Sequence, residues 1–215
     1  MESDYDIVTA TEDDRERIAS FVCQHFYPRE PLNQDVGAPP NRPISAIYAL
    51  QFLADGLSLL AVSRADGGIL GVCLSSKERA AEHRKTTAMP DNEAYAKICN
   101  FVRHVKGGVD VWQLSGADHG VYVQTLVVSD AAKGRGIGRA LMETTRDRAR
   151  AAEVPLMFVV CTSFISIKIA DSIGMQRVYS VAYKDYKDEK GAPVFTPPPP
   201  HTETVVFLQK LTPDS

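Results

Sequence analysis

Several features that mark specialised classes of protein are missing from this sequence. Its four cysteines, Cys23, Cys73, Cys99 and Cys161, stand far apart without the spacing of metal ligands, which predicts buried, reduced thiols. The net charge of −3 gives no case for a nucleic-acid partner. No apolar run approaches the ~20 residues of a membrane span, and no secretory apolar segment opens the chain. We therefore expect a cytoplasmic protein that binds no metal, membrane or nucleic acid.

The length and composition are those of an ordinary globular protein. The 215 residues are enough for one domain with a substantial core. Apolar residues make up 44% of the chain and charged residues 24%. Two small domains are the alternative, but we expect a single domain over residues 1–215, acting as a monomer, and no internal repeat is visible.

The hydrophobic pattern predicts an α/β (α+β) protein. Strands are predicted at 5–10, 57–63, 69–75, 121–128, 155–161, 175–183 and 204–210. Helices are predicted at 11–23, 44–54, 92–105, after the glycines near 136, and at 164–173. The charged segment 77–91 has no apolar period and is predicted as a solvated excursion. This order predicts a mixed sheet with helices on both faces.

The centre of the sequence is a strand, a polar turn, a glycine-rich loop (KGRGIG, residues 133–138) and the start of a helix. This order makes an anion site, because the glycines let backbone N–H groups point inward and the helix dipole adds positive charge. A nucleotidase P-loop needs Gly-Lys-Ser/Thr, which does not follow these glycines. A dinucleotide-binding loop needs a small third residue, where Arg139 or Leu141 stands. The sequence therefore predicts a phosphorylated cofactor held by a loop of another class.

The loop from Lys133 to Gly138 resembles the (Gln/Arg)-x-x-Gly-x-(Gly/Ala) loop of the GNAT acetyltransferases, which cradles the pyrophosphate of coenzyme A. Lys133 departs from that pattern because it is cationic but has no guanidinium. The order of predicted elements also matches the GNAT fold, which implies a mostly antiparallel mixed sheet and acetyl-CoA as co-substrate without a metal. The resemblance implies cofactor contacts from Leu126, Val127, Val128, Lys133, Gly134, Arg135, Gly136, Ile137, Gly138, Arg139, Ser166 and Lys168. For Lys168 a solvated surface lysine is the alternative.

Three separate segments resemble the insect arylalkylamine N-acetyltransferases, which include the dopamine and serotonin N-acetyltransferases. These segments are FYPREPL (26–32), CTSFIS (161–166) and a tail with DYK (185–187), VFTP (194–197) and PH (200–201). The resemblance implies that Glu30 is the catalytic carboxylate and that Thr162 and Ser166 are active-site hydroxyl residues. Ile165 stands where an aromatic residue is usual. Ala170 occupies the position of the tyrosine acid of many other GNAT enzymes, so no phenol is available there.

Amine deprotonation is the larger chemical demand of such a reaction. An alkylammonium with a pKa near 10.4 costs roughly 4.6 kcal/mol to neutralise at pH 7, whereas protonating the leaving thiolate costs roughly 2 kcal/mol. Glu30 is the candidate base, and its alternative is a surface acid paired with Arg29. Hydroxyl residues at a helix start are commonly N-caps, which is the alternative for Thr162; Ser166 is then the better candidate partner of the departing sulfur. His119 and His201 either line the amine pocket or have structural roles.

The sequence thus predicts an acetyl-CoA-dependent N-acetyltransferase acting on arylalkylamines of the dopamine, serotonin, tyramine and tryptamine type. Direct attack in a ternary complex is expected, because Cys161 closes an apolar strand and has no evident base. One alternative is the same chemistry on another acceptor, such as agmatine, a polyamine, an amino acid or a protein N-terminus. The other is a catalytically silent coenzyme A-binding sensor.

Overall fold

Seven strands form one mixed sheet in the computed structural model, which describes residues 4–37, 48–81 and 92–211. The strands are β1 (Tyr5–Thr9), β2 (Leu59–Ser63), β3 (Ile69–Arg79), β4 (His119–Val128), β5 (Leu156–Cys161), β6 (Gln176–Ala182) and β7 (Glu203–Lys210). Their spatial order is β1-β2-β3-β4-β5-β7-β6. Only β4 and β5 run parallel among these neighbours. The predicted GNAT fold, with its mostly antiparallel sheet, is confirmed.

Helices cover both faces of this sheet. They are α1 (Arg15–His25), α2 (Pro31–Asp35), α3 (Glu93–Gly107), α4 (Val111–Ser115), α5 (Ile137–Ala151) and α6 (Phe164–Ser172). Side chains alternate between the two faces along a strand. Val121 and Met157 accordingly pack with α5 and α6 on one face, whereas Tyr122 and Phe158 pack with α2, α3 and α4 on the other. In the described residues, no helix combines the length and apolar character needed to cross a bilayer.

The ladder between β4 and β5 is short, and the two strands separate beyond it. The paired residues are Val121 with Met157, Tyr122 with Phe158 and Val123 with Val159. The register between β3 and β4 shifts directly after Val123, so Gln124 is an extra residue on β4, as in a β-bulge. Among the described residues, β4 pairs only with β3 from Thr125 to Val128, and its other edge faces the gap.

One expectation about the elements was wrong, and one short helix was not predicted. β3 continues to Arg79, so residues 77–79 are strand rather than solvated excursion, because they pair with the first residues of the long β4. The short helix α4 follows Asp110, whose side chain accepts from the N–H groups of Trp112 and Gln113. The segments 44–47 and 82–91 lie outside the described residues. Of the helix predicted at 44–54, residues 48–50 are helical, and Gly56 ends the following 3-10 turn in a left-handed conformation with φ 68°.

Candidate active site

Glu30 begins the short helix α2, directly after the turn that follows α1. Its side chain caps the helix: Oε2 accepts from the Asn33 backbone N–H at 2.7 Å and from Asn33 Nδ2 at 2.6 Å. Pro31 occupies the first helical position, where its missing N–H costs nothing. The carboxylate is buried, with 7% of the residue exposed. The alternative of a surface acid paired with Arg29 is wrong, because Arg29 pairs with Asp130 instead.

The hydroxyl of Thr162 reaches the same carboxylate from the end of β5. Thr162 Oγ1 donates to Glu30 Oε1 at 2.8 Å, which joins two segments 132 residues apart in the sequence. The Thr162 carbonyl accepts a hydrogen bond from the Tyr183 hydroxyl, which itself accepts from Thr204 Oγ1 at 3.0 Å. The predicted base therefore lies where β5 ends, beside the gap between β4 and β5.

Burial controls the acidity of this carboxylate. It raises the pKa of Glu30 above its ordinary value, while the hydrogen bonds from Thr162 and Asn33 act in the opposite direction. A carboxylate with a raised pKa is a stronger base, and it binds a proton more tightly when an ammonium group delivers one. The site can therefore accept a proton from a primary amine held next to Glu30.

Ser166 belongs to the N-terminal capping box of α6. Ser163 Oγ accepts from the Ser166 N–H at 3.1 Å, and Ser166 Oγ accepts in return from the Ser163 N–H at 3.3 Å. The cap residue is thus Ser163 rather than Thr162, which leaves the Thr162 hydroxyl for Glu30. Ser166 also bonds to the thiol of Cys161, whose pKa burial raises to about 12. A thiol that holds its proton this strongly is a poor nucleophile.

The predicted cofactor loop has the backbone that an anion site requires. Gly134 and Gly136 have φ values of 78° and 76°, a left-handed conformation that L side chains adopt at a cost. The first N–H groups of any α-helix lack an intrahelical acceptor, and Gly136, the N-cap of α5, has no side chain to bond those of α5. Gly138 has a different constraint, because an added Cβ would lie 3.0 Å from Ile169 Cδ1 of α6. Ile137 is buried in the core below the loop.

The free edge of β4 directs two N–H groups into the gap. Ser129 N–H donates to the Leu70 carbonyl near the start of β3. Because N–H groups point alternately to the two edges of a strand, Val127 also faces β3, while Val128 and Leu126 face away from it. No strand pairs with that edge in the described residues beyond Val123. These two N–H groups are those expected to pair with pantetheine.

The four cationic residues predicted to contact the cofactor each have a partner within the protein. Lys133 Nζ lies 2.6 Å from Asp130, Arg135 pairs with Asp4, and Arg139 Nε donates to Glu143 at 3.0 Å. Lys168 Nζ lies 4.6 Å from the centre of the Phe164 ring. The ion pairs among these contacts are exposed and therefore weak, since surface ion pairs contribute about 0–1 kcal/mol each.

The two histidines differ in their relation to the site. His201 Nδ1 accepts from the Phe164 N–H at 3.1 Å, at the start of α6, and burial lowers its pKa. His119 bonds Asp118 at the start of β4, at the far end of that strand from the gap. His201 is therefore the histidine next to the Thr162 end of β5.

Four contributors were missed by sequence reasoning: Asn33, Tyr183, Asp130 and Arg29 as a partner of the loop. Asn33 had a usable signal, because it stands three residues after Glu30, where an N-cap side chain finds its N–H partner. Tyr183 and Asp130 had none, since their contacts come from the packing of separate segments. Among the described residues, no group of three or more His, Cys, Asp and Glu side chains could hold a metal ion.

This chain is similar to a protein family in sequence and to several solved structures in fold. Residues 66–168 match the model of the acetyltransferase (GNAT) family. Arylalkylamine N-acetyltransferase 2 from Aedes aegypti superposes with a TM-score of 0.89 at 22% identity, over 98% of this chain and 100% of that one. The Drosophila melanogaster polyamine N-acetyltransferase, which catalyses the formation of N-acetylagmatine, gives 0.82 at 26% identity, over 97% and 100%. The yncA protein of Salmonella typhimurium, solved with its cofactor acetyl-CoA, gives 0.56 at 14% identity, over 99% and 97%.

Proposed function

The chain carries a GNAT acetyltransferase domain, and from this premise we propose that it transfers acetyl from acetyl-CoA to the primary amine of an arylalkylamine. The observation that carries the proposal is the buried Glu30 carboxylate, bonded to Thr162 at the end of β5. We also propose that residues 1–215 form one domain. In support, a single sheet includes strands near both ends, Tyr5–Thr9 and Glu203–Lys210.

The residues present are suited to coenzyme A. The uncapped N-terminus of α5 offers N–H groups for the pyrophosphate, and Leu126 and Val128 offer N–H groups for pantetheine. When bound, the thioester supplies an activated acetyl carbonyl. One of the β4 N–H groups would bind the oxygen on which negative charge develops.

Glu30 acts as the general base. Neutralising an alkylammonium at pH 7 costs roughly 4.6 kcal/mol, and a positioned base contributes ~10²–10⁴-fold to the rate, or about 2.7–5.5 kcal/mol. One carboxylate therefore meets most of this demand. Thr162 and Asn33 orient the carboxylate, and Ser166 lies near the Cys161 end of β5, where it can bond to the departing sulfur.

Direct transfer within a ternary complex is proposed over an acetyl-cysteine intermediate. Cys161 is 2% exposed, and its pKa is raised to about 12, so it supplies almost no thiolate at neutral pH. Neither property favours a nucleophile.

The aromatic acceptor is favoured by the residues around Glu30 and by the family resemblance. Tyr27 and Leu32 are buried in the core, but Phe26, on the same turn, keeps part of its surface exposed.

A polyamine or agmatine is the second candidate. It is favoured by the 26% identity to the Drosophila polyamine enzyme. The Asp35 carboxylate at the end of α2, which accepts from the Thr196 N–H and hydroxyl, is a candidate partner for a distal cation.

The test is a comparison of kcat/KM for dopamine, serotonin, tyramine, agmatine and spermidine with acetyl-CoA. Aromatic amines are expected to have the highest values. Higher values for agmatine or spermidine would overturn the aromatic acceptor and leave the acetyltransferase reaction in place. Binding of acetyl-CoA without turnover of any amine would instead favour the silent sensor.

A further inference from the structure

Arg29 stands next to the proposed base and reaches the cofactor loop. Its Nη2 pairs with the Asp130 carboxylate, and the other oxygen of that carboxylate lies 2.6 Å from Lys133 Nζ. Asp130 begins the 3-10 turn that connects β4 to the glycines. A guanidinium from the turn between α1 and α2 therefore lies beside the first residue of loop 133–138.

This guanidinium has one nitrogen, Nη1, that the described part of the chain leaves without an acceptor. Arg29 Nη1 is buried and has no hydrogen-bond partner among the residues that the structure describes. Folded proteins pair nearly all of their buried polar groups, so this donor is available to an acceptor from outside the chain.

The charges around Arg29 also favour an anion. Two other basic groups, His25 and Lys133, are close enough to be affected by its charge. Burial is the larger cause that lowers the pKa of each, and the positive charge of Arg29 is the next. Within residues 4–37, 48–81 and 92–211, Asp130 is the one carboxylate paired with both Arg29 and Lys133. A second anion at this point would reduce the remaining repulsion between the cations.

We propose that Arg29 binds the pyrophosphate of coenzyme A and supplies the guanidinium that the loop lacks at Lys133. The inference rests on the proposed function, because it requires coenzyme A on loop 133–138. A guanidinium offers planar paired donors that match phosphate oxygens, whereas the Lys133 ammonium is a point charge. In the free protein, Asp130 takes the place of the phosphate between the two cations.

The arrangement gives Arg29 a positioning role as well. Arg29 and Glu30 are adjacent, and their N–H groups both donate to the Phe26 carbonyl, at 3.0 and 2.9 Å. A phosphate that holds Arg29 therefore also holds the turn from which Glu30 projects. Cofactor binding and placement of the base are joined through one turn of the chain.

The test is calorimetric binding of coenzyme A and dephospho-coenzyme A to the full chain. Dephospho-coenzyme A keeps the pyrophosphate and lacks only the 3′-phosphate. For Arg29→Gln we expect both ligands to bind ~10- to 100-fold more weakly, the range for losing a hydrogen bond to a charged group. For Asp130→Asn we expect both to bind at least as tightly as to the wild type, because that change removes a competing anion.

The outcomes separate the possibilities. Equal weakening by Arg29→Gln and Asp130→Asn would overturn the proposal in favour of a purely structural ion pair, and unchanged affinity in a folded Arg29→Gln would also overturn it. Weakening for coenzyme A alone would assign Arg29 to the 3′-phosphate instead. Should Arg29→Gln fail to fold, Arg29→Lys takes its place, since it keeps the charge but not the paired donors. Absence of coenzyme A binding by the wild type would count against the proposed function itself.

Discussion

Glu30→Gln is the most informative perturbation of the proposed mechanism. The amide has the shape of the carboxylate, and its oxygen can accept both hydrogen bonds from Asn33 while its NH₂ group faces the Thr162 hydroxyl, which can also accept. The change therefore removes the base and keeps the helix cap. We expect kcat/KM to fall by ~10²–10⁴-fold, the contribution of a general base. Affinity for acetyl-CoA should hardly change.

The pH dependence of Glu30→Gln gives a second, independent readout. Burial raises the pKa of Glu30, so the acidic limb of the wild-type profile of kcat/KM should have its midpoint above the ordinary 4.5 of a glutamate. The variant should lose this limb and recover part of its rate at high pH, where solution supplies neutral amine. The measurement is the initial rate against pH for both proteins at saturating acetyl-CoA.

Stability distinguishes lost chemistry from lost structure. A carboxyl group with a raised folded-state pKa loses its proton more readily in the unfolded state, so it lowers stability as pH rises from the unfolded pKa through the folded one. Glu30→Gln removes that penalty, and its Tm at pH 8 should be no lower than that of the wild type. Asp110→Asn is the matched control, an exposed N-cap carboxylate on α4 whose amide should leave kcat/KM unchanged. Near-normal rates and an unchanged profile for Glu30→Gln would refute its role as the base.

Three further variants test other parts of the site. Gly136→Val, at a left-handed φ of 76°, should raise the KM for acetyl-CoA far more than the KM for the amine; equal effects in steady-state kinetics would show that the loop is misassigned. Ser166→Ala should lower kcat only ~10-fold, because the thiolate costs roughly 2 kcal/mol to protonate; a loss of several thousand-fold with an unchanged Tm would require a larger role. Tyr183→Phe removes the donor to the Thr162 carbonyl, so the free energy of unfolding should fall by about 1–3 kcal/mol. We expect kcat/KM to fall about tenfold, with unchanged affinity for coenzyme A by calorimetry. An unchanged kcat/KM would show that Tyr183 has no role in the site.

The elements of the fold were largely predictable because each has its own local pattern. The apolar run at 155–161 is the buried strand β5, and the glycines near 136 begin α5 as expected. The polar end of β3 was not predictable, since Lys77 and Arg79 carry no apolar period and are strand only through pairing with β4. Pairing of that kind depends on the neighbouring strand rather than on the segment itself.

The contacts of the proposed site residues were less predictable than the elements of the fold. Family motifs pointed to Glu30 and Thr162 separately, but their hydrogen bond crosses 132 residues and follows from the packing of α2 against the end of β5. The same limit applies to Asp130, whose position between Arg29 and Lys133 depends on where the α1–α2 turn lies. Local sequence contains no signal for such contacts.

The short ladder between β4 and β5 also has a consequence for how the protein resists unfolding. Three residue pairs join β4 to β5, whereas six join β5 to β7. The β4–β5 ladder is therefore the one of these two that separates more easily when the sheet unfolds. A cofactor that pairs with the N–H groups of Leu126 and Val128 would act as an additional strand across it. Ligand binding then stabilises the fold by RT ln(1 + [L]/Kd), about 2.7 kcal/mol at a hundredfold excess over Kd. The lifetime of the folded enzyme in a cell would in this way follow the local supply of coenzyme A.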